Sequence, residues 1–547
     1  MSGDNRNPAA IAADSVGDRR VAVYDTTLRD GAQREGISWS LEDKLRIIRR
    51  LDALGVHIVE AGWPGSNPKD AALFARMASP DAALKHAQLA AFGSTRRAGM
   101  AASDDPQVQA LIDAHTPVCT IFGKSSTLHV REVLRVSLDE NLSMIADTVA
   151  YLRAAGRRVI YDAEHFFDGY ALDPEYALAT LKAAASADTV VLCDTNGGTL
   201  PWQVEDVVRA VRQSVATPLG IHAHNDSGCA VANSLAAVRA GASHVQGTIN
   251  GYGERCGNAN LCSVIPGLVL KLGIGVLPEG RLSELPEVSH MVAELANLAP
   301  DDHAPYVGRS AFAHKGGVHV AAMRRTPESY QHVDPAVVGN ECRIVVSELS
   351  GRANLLARAD EFGLEGSDPA IATGALAAIK EAEARGAAFE AADASVALIL
   401  RRHAPDYAPP FQLVEYRVLS HGGGPEPVAA EATVKLRVGD RVVHTAAEGE
   451  GPVHALDAAL HKALVVSYPK VAKISLADYK VRILDGSSGT RAVTRVLIDF
   501  TDGTHRWSTV GASASILEAT WTALADGIEF GIVTAAQPAA HVMEAHA

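Results

Sequence analysis

From residue 20 onward, short apolar runs alternate with stretches of helical spacing. VAVYDTTLRD is apolar and then turns polar, and LEDKLRIIRRLDALG follows with apolar residues three and four apart. HIVEAG precedes NPKDAALFARMA, AQLAAFGS precedes DPQVQALIDA, and VCTIFGKSS precedes DENLSMIADTVAYLRAAG. RRVIYDAEHF, TVVLCDTNGG, GIHAHND and SHVQGTING each lead into a further helical segment. The pattern predicts eight strands, each followed by a helix, in about 260 residues, which is what a closed (β/α)₈ barrel over 20–285 requires. A doubly wound sheet is the alternative. It ranks behind because it does not gather eight strand ends around one point.

The polar residues fall where a barrel mouth would collect them. Asp25 and Asp30 follow the first strand, and Glu60 sits in the second. Glu164 and His165 follow the fifth, Asp194 to Asn196 the sixth, and His222 and His224 close the seventh. Past 285 the unit stops repeating. Residues 286–408 read as a helical connector and subdomain, with helices expected at 352–362 and 369–388 and a polar run GRSAFAHKGGVHVAAMRR between them and the barrel.

From 409 to 540 the periodicity changes to that of an α+β domain. FQLVEYRVLS, ATVKLRV and RVVHTAAE alternate as strands before the helix-like VHALDAALHKALVV; KVRILD, AVTRVLIDF and THRWSTVG repeat the pattern before ASILEATWTALADGIEF. VGDR and TDGT turn at the same place in each half. The glycine-bearing helix entries, among them Gly511, Ala512 and Ser513, could hold a small anion on free N–H groups. A purely structural dimerisation module fits the same pattern.

Composition narrows the function. A chain of 547 residues, 47% hydrophobic, suggests two to four domains. A net charge of −14 with no local Lys/Arg block argues against nucleic-acid and anionic-membrane partners and favours small metabolites. Six scattered cysteines without a CxxC form neither a disulfide framework nor a thiolate cluster. Residues 1–19 lack an apolar secretion core and read as a disordered tail; no stretch offers a membrane span, and the cytoplasm is expected. No P-loop or GxGxxG fingerprint points to ATP or NAD.

HxH on a strand sends both imidazoles to one face, so His222 and His224 can share an ion with Asp30. Packed or surface histidines on an ordinary strand are the plain alternative. One carboxylate and two imidazoles suit Zn, Mn, Fe, Co or, less typically, Mg, and Asn258 is near enough in sequence to add an amide oxygen. An open site of this kind could chelate a 2-oxo acid and polarise its carbonyl. Arg29 could stabilise the resulting oxyanion or could merely pair with a nearby carboxylate. Glu164 and His314 are candidates for proton transfer, with His165 and His319 beside them as competing choices.

YDTTLRDGAQ (24–33), YDAEHFFDGY (161–170), LCDTNGGTLPW (192–202), HAHND (222–226) and GYGERCGNANL (251–261) together resemble the acyl-CoA-condensing family of 2-isopropylmalate, homocitrate and citramalate synthases. REGISWSLEDK, GWPGSNPKD, FGKSSTLHV and SYQHVDPAVVGN look most like the citramalate synthase branch. The resemblance implies a Claisen condensation of acetyl-CoA, as co-substrate, with a 2-oxo acid, followed by thioester hydrolysis. Pyruvate, for isoleucine synthesis, is the expected oxo acid; 2-oxoisovalerate and 2-oxoglutarate are the alternatives. It further implies a divalent ion (Mg, Mn, Zn or Co) on Asp30, His222 and His224, with Asn258 a fourth position. Arg29 and Glu164 match catalytic positions, and Arg29, Gln33 and Thr195 substrate-contacting ones. His314 matches a subdomain histidine contributed to the neighbouring subunit's barrel in a homodimer, and Tyr330 a tyrosine associated with it, although this chain reads HKGG where isopropylmalate synthases usually read HQDG. The C-terminal repeat resembles their allosteric domain, which implies isoleucine as the feedback inhibitor. A reading from a different class is an amino-acid-sensing protein with an inactive barrel, against which the intact Asp30, His222, His224 and Glu164 stand.

Overall fold

The structure is a computed structural model describing residues 20–315, 319, 322–323, 325–345, 355, 369–422 and 429–534. The expected tail 1–19 lies outside the described residues, as does the expected helix at 352–362 apart from Leu355. The chain forms two compact units: residues up to Phe312 with Val333–Glu341, and Ala313–His332 with the residues from Cys342 on.

The first unit is built on eight strands: β1 (Ala22–Asp25), β2 (Ile58–Gly62), β3 (Gln88–Ser94), β4 (Val118–Lys124), β5 (Arg158–Glu164), β6 (Thr189–Asp194), β7 (Leu219–Ala223) and β8 (His244–Gly247). Each pairs in parallel with the next, and β8 returns to β1, where Tyr24 lies opposite Gln246, so the sheet closes into a barrel. β2, β6, β7 and β8 are buried along their whole length. Helices cover the outside and side chains fill the inside, which is why these strands read as continuous apolar runs.

Several outer helices begin where the sequence supplies caps. Ser40 and Asp43 form a capping box before Leu41–Leu54. Asn67, Asp105 and Asp173 each accept a backbone N–H ahead of a proline in the first turn. Each such cap contributes about 1 kcal/mol. The compact unit runs past the expected barrel boundary at 285, because Leu285, Val288 and Val292 of the helix Leu285–Leu295 belong to the core between the barrel and its helices.

Inside the barrel, Tyr24, Ile58, Ala90, Val118, Ile160, Val191 and Cys193 form an apolar plug. Polar groups are buried with it. The Tyr24 hydroxyl donates to Glu60 at 2.5 Å and meets Thr120 Oγ1 at 2.7 Å, and Thr26 also donates to Glu60.

In the second unit, β9 (Ala313–His314) pairs in parallel with β10 (Arg343–Ile344). The expected helix at 369–388 is present as Pro369–Ala384. Beyond it lie two copies of one motif. β11 (Gln412–His421), β12 (Ala429–Val438) and β13 (Arg441–Gly449) form an antiparallel sheet followed by the helix Pro452–Leu464. β14 (Ser475–Ile483), β15 (Thr494–Thr501) and β16 (Arg506–Ser513) do the same before the helix Ile516–Thr534. Val434 and Leu436 from the first copy and Val496, Ile498 and Phe500 from the second share one core with both helices. Among the described residues, no helix is long and apolar enough to cross a membrane.

His461 ties the first copy to the second. Its Nε2 lies 3.0 Å from the Ile474 carbonyl oxygen, and its Nδ1 lies 3.1 Å from the Asp457 carbonyl oxygen and 3.2 Å from the Asp457 carboxylate. Burial opposes the charged ring, but Asp457 and the Ile474 carbonyl outweigh it and push the pKa up to about 9. A pKa above that of the unfolded chain, about 6.5, gives stability that is complete below pH 6.5 and disappears as the pH rises through 9. We expect wild type to exceed His461→Gln in stability by about 2 kcal/mol at pH 6.5. Denaturant midpoints of the two full-length proteins should converge by pH 9.5; a gap that stays constant over this range would show that the charge on His461 contributes nothing.

Candidate active site

Asp30 follows β1 by a short loop, His222 lies in β7, and His224 is the residue just past its end. The loop after β8 folds back over them. Asn225 donates its N–H to the Gly257 carbonyl at 2.8 Å, Ala259 donates to Ala223 at 3.0 Å, and Asn258 bridges to His224. The return is tight: a Cβ on Gly253, whose φ is +152°, would lie 2.2 Å from the Asn258 amide nitrogen. That close approach is the reason for the glycine that opens GERCGN, Gly253.

His222 Nε2 and His224 Nε2 are 3.3 Å apart and lie 3.3 and 3.8 Å from one Asp30 oxygen. The Asn258 amide donates to the other Asp30 oxygen and to the Tyr252 carbonyl, each at 3.0 Å, which leaves its own buried Oδ1 without a hydrogen-bond partner. Candidate ligand atoms of Asp30, His222 and His224 lie within 4.8 Å of one another, and all three residues are buried. A buried carboxylate, two converging imidazole nitrogens and an orphaned amide oxygen fit a divalent cation.

Electrostatics divide the cluster: burial opposes the charged form of His222, but Asp30 and then Asp162 outweigh it and raise its pKa. Burial opposes ionisation of Asp30, but Arg29 and His222 outweigh it and hold the carboxyl well below its ordinary range. Burial and the neighbouring His222 lower His224 to about 4, which keeps its ring neutral near pH 7. Arg29 is itself held on several sides. Its Nε donates to Glu60 at 2.6 Å, its Nη1 lies 3.2 Å from Asp30, and its guanidinium stacks 3.8 Å from the centre of the Phe92 ring. Arg29 therefore does pair with nearby carboxylates, and that pairing aims it at the site.

Arg29, Gln33, Glu164 and Thr195 line the same pocket as Asp30 and the two histidines. Thr195 Oγ1 accepts the His165 N–H at 2.8 Å. His165 Nδ1 faces Asp168 at 3.8 Å and its ring stacks on His129 at 3.7 Å. His314 and Tyr330 belong to the second unit. There His314 is half-buried with its Nε2 lacking a hydrogen-bond partner, and burial, with His319, lowers its pKa. Tyr330 stacks on His319, with ring centroids 4.2 Å apart.

Gly511 to Ser513 end β16 instead of forming an open loop. A Cβ on Gly511 would lie 2.0 Å from the Ala519 carbonyl oxygen, so this glycine serves close strand-on-helix packing. Ser513 Oγ accepts the Ser515 N–H at 3.1 Å and donates to Glu518 at 2.7 Å, and Ser515 Oγ accepts the Glu518 N–H at 3.4 Å. The Ser515 and Glu518 N–H groups that follow Ser513 thus have partners from the chain itself, with a carboxylate beside them.

Several site residues escaped the sequence reading. Lys124, opposite Glu164 in the β4–β5 register, forms an ion pair with its carboxylate. Trp63, Phe92 and Phe122 pack ring to ring at 5.5–5.6 Å and line one side of the pocket. Gln246 and Asp162 stand behind His222. The signal for them was polarity inside buried strands: an isolated Gln in HVQG and an Asp in VIYDAE sit where only an inward-facing, partnered group is tolerated.

Family models agree with this architecture. An HMGL-like model matches residues 20–292, a homocitrate synthase post-HMGL domain-like model 306–387, and a LeuA allosteric (dimerisation) domain model 390–532. The (R)-citramalate synthase of Synechocystis sp. is 54% identical over 93% of this chain and 96% of that protein. That of Geobacter sulfurreducens is 52% identical over 93% of this chain and 97% of its own length. The 2-isopropylmalate synthase of Methanocaldococcus jannaschii is 30% identical over 93% of this chain and 94% of its own. A site with this donor set, in a chain that matches such relatives nearly end to end, belongs to the citramalate synthase branch of the 2-isopropylmalate and homocitrate synthase family.

Proposed function

We propose that this enzyme condenses acetyl-CoA with pyruvate and hydrolyses the thioester formed, giving (R)-citramalate and CoA. One observation carries the reading: Asp30, His222, His224 and the free Asn258 oxygen converge beside Arg29 and Glu164, in a chain 54% identical to a citramalate synthase over nearly its whole length. Bound at those four residues, a divalent ion would supply Lewis-acid polarisation of the keto group.

The chain's own residues supply the rest. A base removes a proton from the acetyl methyl group, the new C–C bond forms at the keto carbon, and the keto oxygen takes up a proton. Glu164 is the proton-transfer group within the barrel, and His314 with Tyr330 acts from a partner copy. Arg29, pre-oriented by Glu60 and Phe92, donates to the developing oxyanion without reorganising. Thr195 and Gln33 contact the substrate. Water then attacks the thioester carbonyl, CoA leaves as the thiol, and a carboxylate remains.

The Trp63, Phe92 and Phe122 wall favours pyruvate over a branched oxo acid, because rigid rings leave little room for a longer side chain. Regulation by isoleucine is assigned to the C-terminal module of a homodimer. This assignment rests on the repeat and its likeness to an allosteric dimerisation domain, with Gly511, Ala512 and Ser513 inside that module.

Three measurements check these assignments. Free CoA released from acetyl-CoA plus pyruvate should vanish on chelation and return with added metal, and Arg29→Ala should lower kcat by about 100- to 1,000-fold; full activity in metal-free protein would defeat the metal role. Phe122→Ala should shift catalytic efficiency toward the branched substrate 2-oxoisovalerate, relative to pyruvate, by about tenfold or more, since each extra methylene is worth about 1–3 kcal/mol; an unchanged ratio would remove the aromatic wall from specificity. Isoleucine should inhibit the full-length enzyme and lose that effect on deletion after about residue 405. Inhibition that survives the deletion would place the effector in the barrel.

A further inference from the structure

We propose that Gln246 is a positioning residue for the metal centre, an amide that fixes the tautomer and ring direction of His222, and that Asp162 sets which end of the amide does so. The inference rests on the metal reading of Asp30, His222 and His224 given above. It concerns residues that stand one layer deeper in the barrel.

Gln246 lies in β8, opposite His222 in the β7–β8 register and fully buried. Its Oε1 is 2.7 Å from His222 Nδ1, and its Nε2 donates to Asp162 Oδ1 at 2.9 Å. A primary amide has one accepting end and one donating end. Above pH 7, where its carboxyl is ionised, Asp162 only accepts, so it takes the NH₂ end and turns the oxygen toward the ring. An oxygen facing Nδ1 requires that Nδ1 carry the hydrogen. The lone pair of His222 is then left on Nε2, the atom that faces His224 and Asp30. The three side chains come from β5, β8 and β7, and only barrel closure places them in line.

With the amide reversed, its NH₂ would donate to Nδ1 and leave the hydrogen on Nε2, blocking the ligand atom. Partners of this kind behind metal-binding histidines commonly change affinity about 10- to 100-fold when removed. Direction of hydrogen bonding, more than bulk, is therefore the property the pair contributes.

The test is Mn²⁺ titration calorimetry on the metal-free, full-length protein at pH 8. Gln246→Leu keeps the volume and removes the acceptor; it should weaken Mn²⁺ binding about 10- to 100-fold, while the circular dichroism of the metal-free protein stays that of wild type. The double variant Gln246→Glu with Asp162→Asn exchanges the chemistry of the two positions, so that a carboxylate accepts from His222 and an amide donates to that carboxylate. It should bind Mn²⁺ within about threefold of wild type, whereas Gln246→Glu alone, with two carboxylates facing each other, should not. Gln246→Leu binding within about threefold of wild type would overturn the proposal, as would a double variant no tighter than Gln246→Glu. Should Gln246→Leu fail to fold, the comparison of the double variant with Gln246→Glu decides alone. Wild type that binds no Mn²⁺, Zn²⁺, Co²⁺ or Mg²⁺ would remove the metal centre itself, an outcome separate from loss of binding confined to the variants.

Discussion

An ionised carboxylate buried at the mouth of the barrel, that of Asp30, is the constraint on which the site depends. Burying such a charge is costly unless it is paired and hydrogen-bonded. Here Arg29 faces it, the Asn258 amide donates to it, and His222 and His224 point at it. Each partner comes from a different part of the closed sheet: the loop after β1, the end of β7, and the loop returning from β8. The barrel brings these segments together, and the carboxylate in turn requires that they arrive in register.

That requirement propagates inward. Arg29 would be a second buried charge without a fixed direction were it not held by Glu60 and Phe92. Glu60 is satisfied in turn by Tyr24 and Thr26, and Tyr24 reaches on to Thr120. Asp162 accepts from Gln246, and burial pushes its carboxyl up to about 7, against the pull of His222 and Arg29. The barrel interior is thus an apolar plug beside a connected polar network. Removing one member would leave its neighbour buried and unpaired, a loss of about 1–3 kcal/mol or more for a charged group.

The C-terminal module follows a simpler physical rule. Each sheet has one buried face, shown by the strict alternation of buried and half-buried residues along β15. A sheet of three strands does not bury that face alone, and one helix per sheet with a core shared between copies supplies the cover. The repeat is therefore a unit of burial first. Any ligand site within it has to be built on surfaces that remain after this packing, and the entry at Ser513 shows how readily the chain's own Ser515 and Glu518 occupy such a position.

The sequence by itself determined what is local and periodic: eight apolar runs with helical partners, the doubled strand-strand-strand-helix pattern, the shared direction of His222 and His224, and the polar loops that follow the strands. These depend on the two-residue and 3.6-residue periods, which one-dimensional order preserves. The same order carried the family, through motifs that lie mostly at strand ends. Tertiary structure alone decided what depends on distance between strands. Lys124 meets Glu164, and Gln246 meets both His222 and Asp162, because β4 lies beside β5 and the barrel interior brings β5, β7 and β8 together. It also shows Gly511 in a close packing contact, since whether a glycine opens a helix entry or admits a neighbouring backbone depends on what stands 2.0 Å from its missing Cβ. Neither kind of fact has a sequence period: both arise from closing the sheet and packing the helix, where partners tens of residues apart meet and a single ångström changes what a residue does.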